Sequence, residues 1–483
     1  MTTTEKTIRI DRQLIDGELV PARGTGTIPA TSARNGAVLA EAVMADEADA
    51  AAAVRAARRA LPAWSATSLD ERRGYLQALA DTFGERHGEM VEALVEEFGT
   101  TTATADAIVS MSRDWFVLGQ DLLVDETFVE RVGGATVTHV PVGVAVLITP
   151  WNGASWFMAM KGSVALAAGC TVVFKPSERG IWQVQPVIDA IAEAGLPSGV
   201  VNVVVGEGKG VGDALTRHPD VDKISLTGST ATGKLVAHNA VETMKRVTLE
   251  LGGKSPTVIL EDADVDAAVP FALEAGFFNN GQACIAGTRI LVPESRAEEL
   301  KRELAKAVSG IPVGDPTKEE TVVGPLLDSA QYERVQGYIH TALAEGAELL
   351  AGGEGHPEGL ETGSYVRPTL LAAGNDSTIA REEVFGPVLT LITYRDEAEA
   401  VRLANETSYG LHAYVASGDD EHGRRVASQI RAGRVMVNEN INSTDAPFGG
   451  FKQSGIGREF GLYGIRSYLE PQAVFAGQPA TNS

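Results

Sequence analysis

From residue 142 onward, hydrophobic and polar positions fall into a regular alternation. VGVAVLITP (142–150), TVVFKPS (171–177), VVNVVVG (200–206) and KISLTGS (223–229) are short apolar runs, each ending in Gly, Pro or Ser. Amphipathic segments separate them, among them IWQVQPVIDAIAEAG (181–195) and GKLVAHNAV (233–241). Runs of this kind, buried on both faces and alternating with helices, predict a parallel sheet covered by helices. Right-handed crossovers then bring the C-terminal ends of the strands to one edge, where ligands bind. A second alternation begins at TVILED (257–262) and continues through TRILVPE (288–294), with Ser295 and Glu298 as a capping box for the next helix.

The N-terminal third carries different signals. IRIDRQLIDGELV (8–20) predicts a hairpin turning at Asp16-Gly17, and VERVGGATVTHV (129–140) a second one turning at Gly133-Gly134. Residues 45–64 are alanine-rich and helical in character; Ser68 with Glu71 opens a further helix running toward Gly99. RVMVNEN (434–440) and PFGGFKQSGIGRE (447–459) read as loop-rich, and GQPATNS (477–483) as a disordered end.

Composition narrows the function classes. With 41 basic and 64 acidic residues the net charge is −23, which repels phosphate backbones and anionic lipid surfaces, so nucleic acid is excluded as a partner. No apolar stretch reaches the ~18 residues of a membrane span, and the polar start MTTTEKTIRIDRQ lacks a secretory signal. Two cysteines, Cys170 and Cys284, cannot build a disulfide framework. A cytoplasmic protein is the expectation. Glycine is abundant, 52 of 483 residues, which points to tight turns or close backbone approach to a ligand.

The chemistry gathers around Cys284, which lies in FFNNGQACIAGTR (277–289) among small and amide side chains that leave room to reach its sulfur. Glu250, between an apolar strand and a glycine pair in LELGGKSP (249–256), reads as a carboxylate whose apolar surroundings raise its pKa. Asn152, at a strand end in ITPWNGASWF (148–157), offers an amide donor. Thiol, carboxylate and amide form a workable acyl-transfer set. GSTATG (228–233) follows a strand and opens a helix, as an anion-binding turn does, while GEGKGVG (206–212) misses dinucleotide spacing because Val211 occupies the third glycine position. Lys175 and Glu178 of FKPSE (174–178) either bracket ribose hydroxyls or form a solvated charged loop.

Taken in order, PWN (150–152), FKPSE, TGSTATG (227–233), LELGGKSP, FNNGQAC (278–284), EEVFGPV (382–388) and PFGGFKQSGIGRE resemble the motifs of the NAD(P)-dependent aldehyde dehydrogenase superfamily along nearly the whole chain. The resemblance implies an α/β aldehyde dehydrogenase-like fold: a Rossmann-type NAD-binding domain (1–120 and 142–252), an α/β catalytic domain (253–436) and a β-hairpin oligomerisation arm (121–141 with 437–483). It implies that Cys284 attacks the aldehyde, that Asn152 and the Cys284 N–H hold the oxyanion, that Glu250 activates water, and that Lys161 supports its proton path. For the cofactor, it implies Lys175 and Glu178 on the adenine-side ribose, Gly228 and Ser229 on the pyrophosphate, Thr232 toward the adenosine half, and Glu383 with Phe385 at the nicotinamide ribose. Ile148, Thr149, Pro150, Trp151, Ser177, Gly208, Gly212, Leu251 and Gly252 complete that cleft. Glu178 would repel a 2′-phosphate, so NAD is expected over NADP, and no metal is implied.

The departures concern the substrate. Gly153-Ala154 replaces the family's usual aromatic-Pro pair after the asparagine, while Trp156, Phe157 and Met160 follow on one helix. Phe278, Ile285 and Phe448 match other tunnel positions, and Asn442 takes a place that is often aromatic. With no arginine evident at these positions, the resemblance implies an apolar aliphatic or aromatic aldehyde. Strand addition by the 129–140 hairpin implies a homodimer or homotetramer.

Overall fold

The computed structural model describes residues 8–440 and 443–476, so the expectations for Asn442 and for 477–483 fall outside the described residues. The largest sheet has eight strands in the order Gly455–Ile456, Arg246–Glu250, Lys223–Thr227, Val144–Ile148, Thr171–Lys175, Val201–Val203, Arg12–Ile15, Glu18–Pro21. Its five central strands, from Arg246–Glu250 to Val201–Val203, are parallel. The apolar runs form strands because both faces are covered. Ala145, Leu147, Val172 and Phe174 pack with the helices Ala154–Ala167 and Ile181–Glu193. Val144, Val146, Val173 and Ile224 pack with Glu47–Ser65 and Thr230–Val241. Register then fixes the functional edge: Ile148 lies beside Lys175 and Leu226, and Thr227 beside Glu250.

The second sheet has seven strands, in the order Glu348–Ala351, Thr369–Ala372, Val388–Tyr394, Arg289–Pro293, Pro256–Ile259, His412–Ala416, Arg434–Val437, all parallel except the first pair. Val129–Val132, Ala135–Pro141 and Leu469–Val474 form a three-stranded antiparallel arm. Its two-residue turn has Gly133 and Gly134 both at positive φ, 57° and 82°, as a hairpin that follows the strand twist requires. The Asp16-Gly17 hairpin forms in the same way. Among the described residues no helix is long and apolar enough to cross a membrane.

Three expectations are corrected. The helix opened by the Ser68–Glu71 capping box ends at Glu85, because Arg86 leaves helical geometry. A short helix, His87–Ala93, and a wide π turn, Leu94–Phe98, complete the path to Gly99. The Ser295–Glu298 capping box does not form. Ser295 donates instead to both oxygens of Glu261, at 2.8 and 2.7 Å, and the helix Ala297–Ser309 starts behind it without a side-chain cap. An ionised carboxylate is the stronger partner, so the hydroxyl is drawn off the helix end. Finally, both stretches expected to be loop-rich contribute edge strands: Arg434–Val437 to the seven-stranded sheet and Gly455–Ile456 to the eight-stranded one.

These two serines give a paired prediction. Ser68→Ala lowers unfolding stability by about 1 kcal/mol through loss of a cap, whereas Ser295→Ala changes it by less than about 0.5 kcal/mol. Denaturant midpoints measure both; equal losses would contradict the assignment.

Candidate active site

Cys284 owes its setting to a strained turn. After the helix Val265–Phe277, Asn279 and Asn280 adopt left-handed backbone, φ 56° and 59°, which asparagine tolerates better than most residues. The turn is held from outside. Asn280 Nδ2 donates to the carbonyls of Gly99 and Pro325 (2.9 and 3.0 Å), its Oδ1 accepts Gly324 N–H (2.9 Å), and Gln282 Oε1 accepts Leu327 N–H (3.1 Å). On the other side a Cβ at Gly253 would come within 2.3 Å of the Cys284 carbonyl, so only glycine permits this approach. The result is a half-buried Cys284 lining a cavity of ≈ 520 Å³ together with Asn152. Cys170, by contrast, is fully buried with its thiol donating to the Tyr468 carbonyl at 3.4 Å, a packing role.

Asn152 follows the strand Val144–Ile148 and precedes Gly153, whose φ of 141° and ψ of 60° lie outside the usual range of side-chain-bearing residues. Its Nδ2 donates to the Gln282 carbonyl at 2.9 Å, which ties the loop to the Cys284 turn. The backbone N–H groups of Cys284 and Ile285 face the sulfur and favour its anion, yet the thiol is pushed up to about 12. Burial is the main cause, followed by the charges of Glu383 and Glu250. The Cys284 and Ile285 N–H groups thus face the sulfur, while the Asn152 amide, in the same cavity wall, is engaged by the Gln282 carbonyl.

Glu250 is 2% exposed, and neither carboxylate oxygen has a hydrogen-bond partner among the described residues. Burial raises its pKa well above the ordinary carboxylate value, Glu459 adds to the rise, and Lys161 and Arg458 oppose it. Its Oε1 lies against Gly449, where a Cβ would approach to 2.6 Å. Glu250 is not among the residues lining the Cys284 cavity, although its charge reaches the thiol. Lys161, fully buried, donates to Glu459 Oε1 (2.5 Å) and Ser225 Oγ (2.9 Å), so it reaches Glu250 electrostatically and not by a direct bond. Glu459 was missed from sequence, although it ends the PFGGFKQSGIGRE motif.

The remaining strand ends carry the predicted cofactor residues. Lys175 pairs with Glu178 at 2.7 Å. Burial opposes ionisation of Glu178, but the charge and hydrogen bond of Lys175 outweigh it and its pKa is lowered. Ser229 caps the helix Thr230–Val241 by accepting Thr232 N–H, and it lines a groove of ≈ 850 Å³ with Glu383, Arg334, Tyr338 and Lys452. Gly228 donates its N–H to the Glu250 carbonyl, and Leu251 packs where a Cβ at Gly233 would collide. Glu383 accepts Gly253 N–H (3.0 Å), and its pKa is raised, mainly by burial. A Cβ at Gly252 would fall within 2.5 Å of Glu383, so the glycine pair admits both the carboxylate and the Cys284 turn. Phe385, at φ 64°, sets its ring edge-on to Trp151, 5.3 Å between centroids. These residues fit a dinucleotide: a helix N-terminus with a hydroxyl, two carboxylates able to accept from ribose hydroxyls, and a buried Thr149 Oγ1 that lacks a partner among the described residues. Gly208 and Gly212 do not line the groove with Ser229; Gly208 N–H faces Glu178 at 3.4 Å, and Ser177 Oγ serves a local turn with Arg179.

The substrate positions are only partly as expected. Gly153, Trp156, Phe157, Phe278, Ile285 and Phe448 line the Cys284 cavity, but Met160 is buried in the core behind it. Ile108, Met111 and Phe460, distant in sequence, complete the apolar wall. None of the expected positions is an arginine, but Arg434, outside that set, also lines the cavity. Its Nε donates to the Pro447 carbonyl (2.9 Å) and its Nη2 to the carbonyls of Ser443 (2.7 Å) and Ala446, while its plane covers Phe448 and Phe460 at 5.4 and 4.8 Å. Strand pairing and a loop closure bring it there, and no local pattern signals either. His412, also in the wall, is held neutral, its pKa lowered to about 3 by burial and then by Arg434.

Known proteins share this fold. The sequence pattern of the aldehyde dehydrogenase family matches residues 20–474. The chain is 42% identical over 463 residues to a 3-succinoylsemialdehyde-pyridine dehydrogenase of a Pseudomonas species, covering 95% of this chain and 97% of that protein. Among solved structures, aldehyde dehydrogenase C of Pseudomonas syringae, a cysteine-to-alanine variant complexed with NAD+ and octanal, aligns with a TM-score of 0.94 at 42% identity, over 97% of this chain and 98% of that one. An NAD+ complex of a Bacillus cereus aldehyde dehydrogenase aligns with a TM-score of 0.92 at 36% identity, over 97% of each chain.

The thiol's environment is testable in the cofactor-free protein. Alkylation of Cys284 by iodoacetamide, followed by peptide mass spectrometry, should keep accelerating about tenfold per pH unit well past the ordinary thiol value of about 8.5. A plateau near that value would contradict the geometry.

Proposed function

The chain belongs to the aldehyde dehydrogenase family, oxidoreductases that convert aldehydes to acids, and we propose that it oxidises apolar aliphatic or aromatic aldehydes through a covalent adduct on Cys284. The observation that carries this reading is the meeting of Cys284 and Asn152 in a cavity walled by Trp156, Phe157, Phe278 and Phe448. The Cys284 sulfur, once deprotonated, adds to the aldehyde carbon. The oxyanion that forms is held by Asn152 Nδ2, released from the Gln282 carbonyl, and by the Cys284 N–H. When bound, NAD would supply the acceptor for the hydride that this adduct gives up in becoming a thioester. Glu250 then swings toward the cavity and takes a proton from water as it attacks the thioester carbon. The acid leaves, and the sulfur is freed. A carboxylate with a raised pKa is a stronger base near neutral pH than an ordinary one, and the Lys161–Glu459 pair beside it provides a place for the proton to go.

NAD is preferred over NADP in this reading, because the Glu178 carboxylate would face a 2′-phosphate. Arg434 leaves the apolar preference in place, since its Nε and Nη2 are committed to backbone carbonyls. The octanal bound to the Pseudomonas syringae enzyme and the pyridine named in the Pseudomonas relative's substrate are in keeping with it. We further propose the domain division 1–120 with 142–252, 253–436, and 121–141 with 437–483. The exposed strand Val129–Val132, paired on one side only among the described residues, would join a second copy to give a homodimer or homotetramer.

Initial rates of NADH formation test the reading. Octanal, hexanal and benzaldehyde should exceed succinic semialdehyde in kcat/KM by about tenfold or more, and Cys284→Ala should abolish turnover with all of them. The reverse order of substrates would overturn the substrate class. Replacing NAD with NADP should lower kcat/KM by about tenfold or more, and Glu178→Gln should narrow that gap.

A further inference from the structure

The loop that carries Asn152 has little to hold it in its own sequence. Gly153 gives it maximal backbone freedom, and the helix that begins at Ala154 has no side-chain cap from its own turn. The hold comes from another helix. Gln183 is 3% exposed and lies in the first turn of Ile181–Glu193. Its Oε1 accepts the Ala154 N–H at 3.1 Å, and its Nε2 donates to the Trp151 carbonyl at 2.8 Å. One amide thus grips the backbone on both sides of the Asn152-Gly153 pair, using both of its heteroatoms.

Gln183 is itself fixed from a distance. Its helix starts at Gly180 without a local side-chain cap. Glu97, 3% exposed in the π turn Leu94–Phe98, fills that role, accepting Gln183 N–H at 2.9 Å and Trp182 N–H at 3.1 Å. The next two residues extend the contact. Phe98 packs edge-on against Trp151, 5.7 Å between centroids, and the Gly99 carbonyl accepts Asn280 Nδ2 at 2.9 Å. The strip Glu97-Phe98-Gly99 therefore touches the Asn152 loop on one side and the Cys284 turn on the other.

We propose that Glu97 and Gln183 are positioning residues that set the placement of Asn152 relative to Cys284, an inference that rests on the oxyanion reading of Asn152. Neither side chain lines the cavity, so neither touches substrate. Their effect is transmitted through the Trp151–Ala154 backbone, which cannot shift without breaking both Gln183 bonds. A displacement on the order of 1 Å in such a group costs up to about a hundredfold in rate.

The test is a double-mutant cycle in kcat/KM for octanal with NAD, using Asn152→Ala, Gln183→Met and their combination. Gln183→Met should lose about tenfold or more by itself, mainly in kcat, and add less than about twofold when Asn152 is already absent. Cys284 alkylation should be unchanged in Gln183→Met, since that reaction needs no oxyanion donor. Multiplicative losses, or a Gln183→Met enzyme as active as the parent, would overturn the proposal. If Asn152→Ala itself costs nothing, the oxyanion reading fails first, and the strut fails with it. Glu97→Gln, which keeps the shape but sets a donor against a backbone N–H, repeats the cycle should Gln183→Met not fold, with the same two outcomes deciding it.

Discussion

Removing an ionised carboxylate from water costs several kcal/mol unless partners replace the lost hydration. Around the Cys284 cavity this chain buries a carboxyl group at three positions, with graded compensation. Glu97 accepts two backbone N–H groups, Glu383 accepts one, and Glu250 accepts none among the described residues. Burial lifts the pKa of each, Glu97 to about 8, Glu383 upward, and Glu250 well above its ordinary value. The least satisfied carboxylate is thus the one that gains most by taking a proton, and it stands nearest the Lys161–Glu459 pair. The same burial, followed by the charges of Glu383 and Glu250, raises the pKa of the Cys284 thiol.

Topology makes this concentration of buried charge possible. Parallel strands release Asn152, Lys175, Ser229 and Glu250 from one edge of the eight-stranded sheet, while the Cys284 turn comes from the seven-stranded sheet. Close approach between the two sets depends on missing side chains: Gly252 admits Glu383, Gly253 admits the Cys284 carbonyl, and Gly449 admits Glu250.

Much of this was legible in the sequence. Glu250, Asn152 and Cys284 sit in local patterns of strand, glycine and turn; the structure places Asn152 and Cys284 in one cavity and leaves Glu250 outside its lining, in the fold that the motif order implied. The two glycine-centred hairpins and the Ser68–Glu71 cap were legible because their chemistry is local. What stayed hidden is long-range. Gln183 reads as one polar position in an amphipathic helix, and Glu97 as one acid among several, until tertiary packing turns them onto the Asn152 loop. Arg434 escaped notice because its route into the cavity is set by a strand pairing and by the carbonyls of 443–447. Ser295 misled because Glu261, 34 residues away in sequence, competes for its hydroxyl.

The covalent adduct at Cys284 is the claim on which the rest turns, and trapping it is the most direct measurement. Glu250→Gln protein mixed with octanal and NAD, quenched and digested, should carry one octanoyl group on the peptide containing Cys284, because the thioester forms and its hydrolysis stalls. Sustained NADH production with that peptide unmodified, or acylation at another residue in its place, would contradict the account.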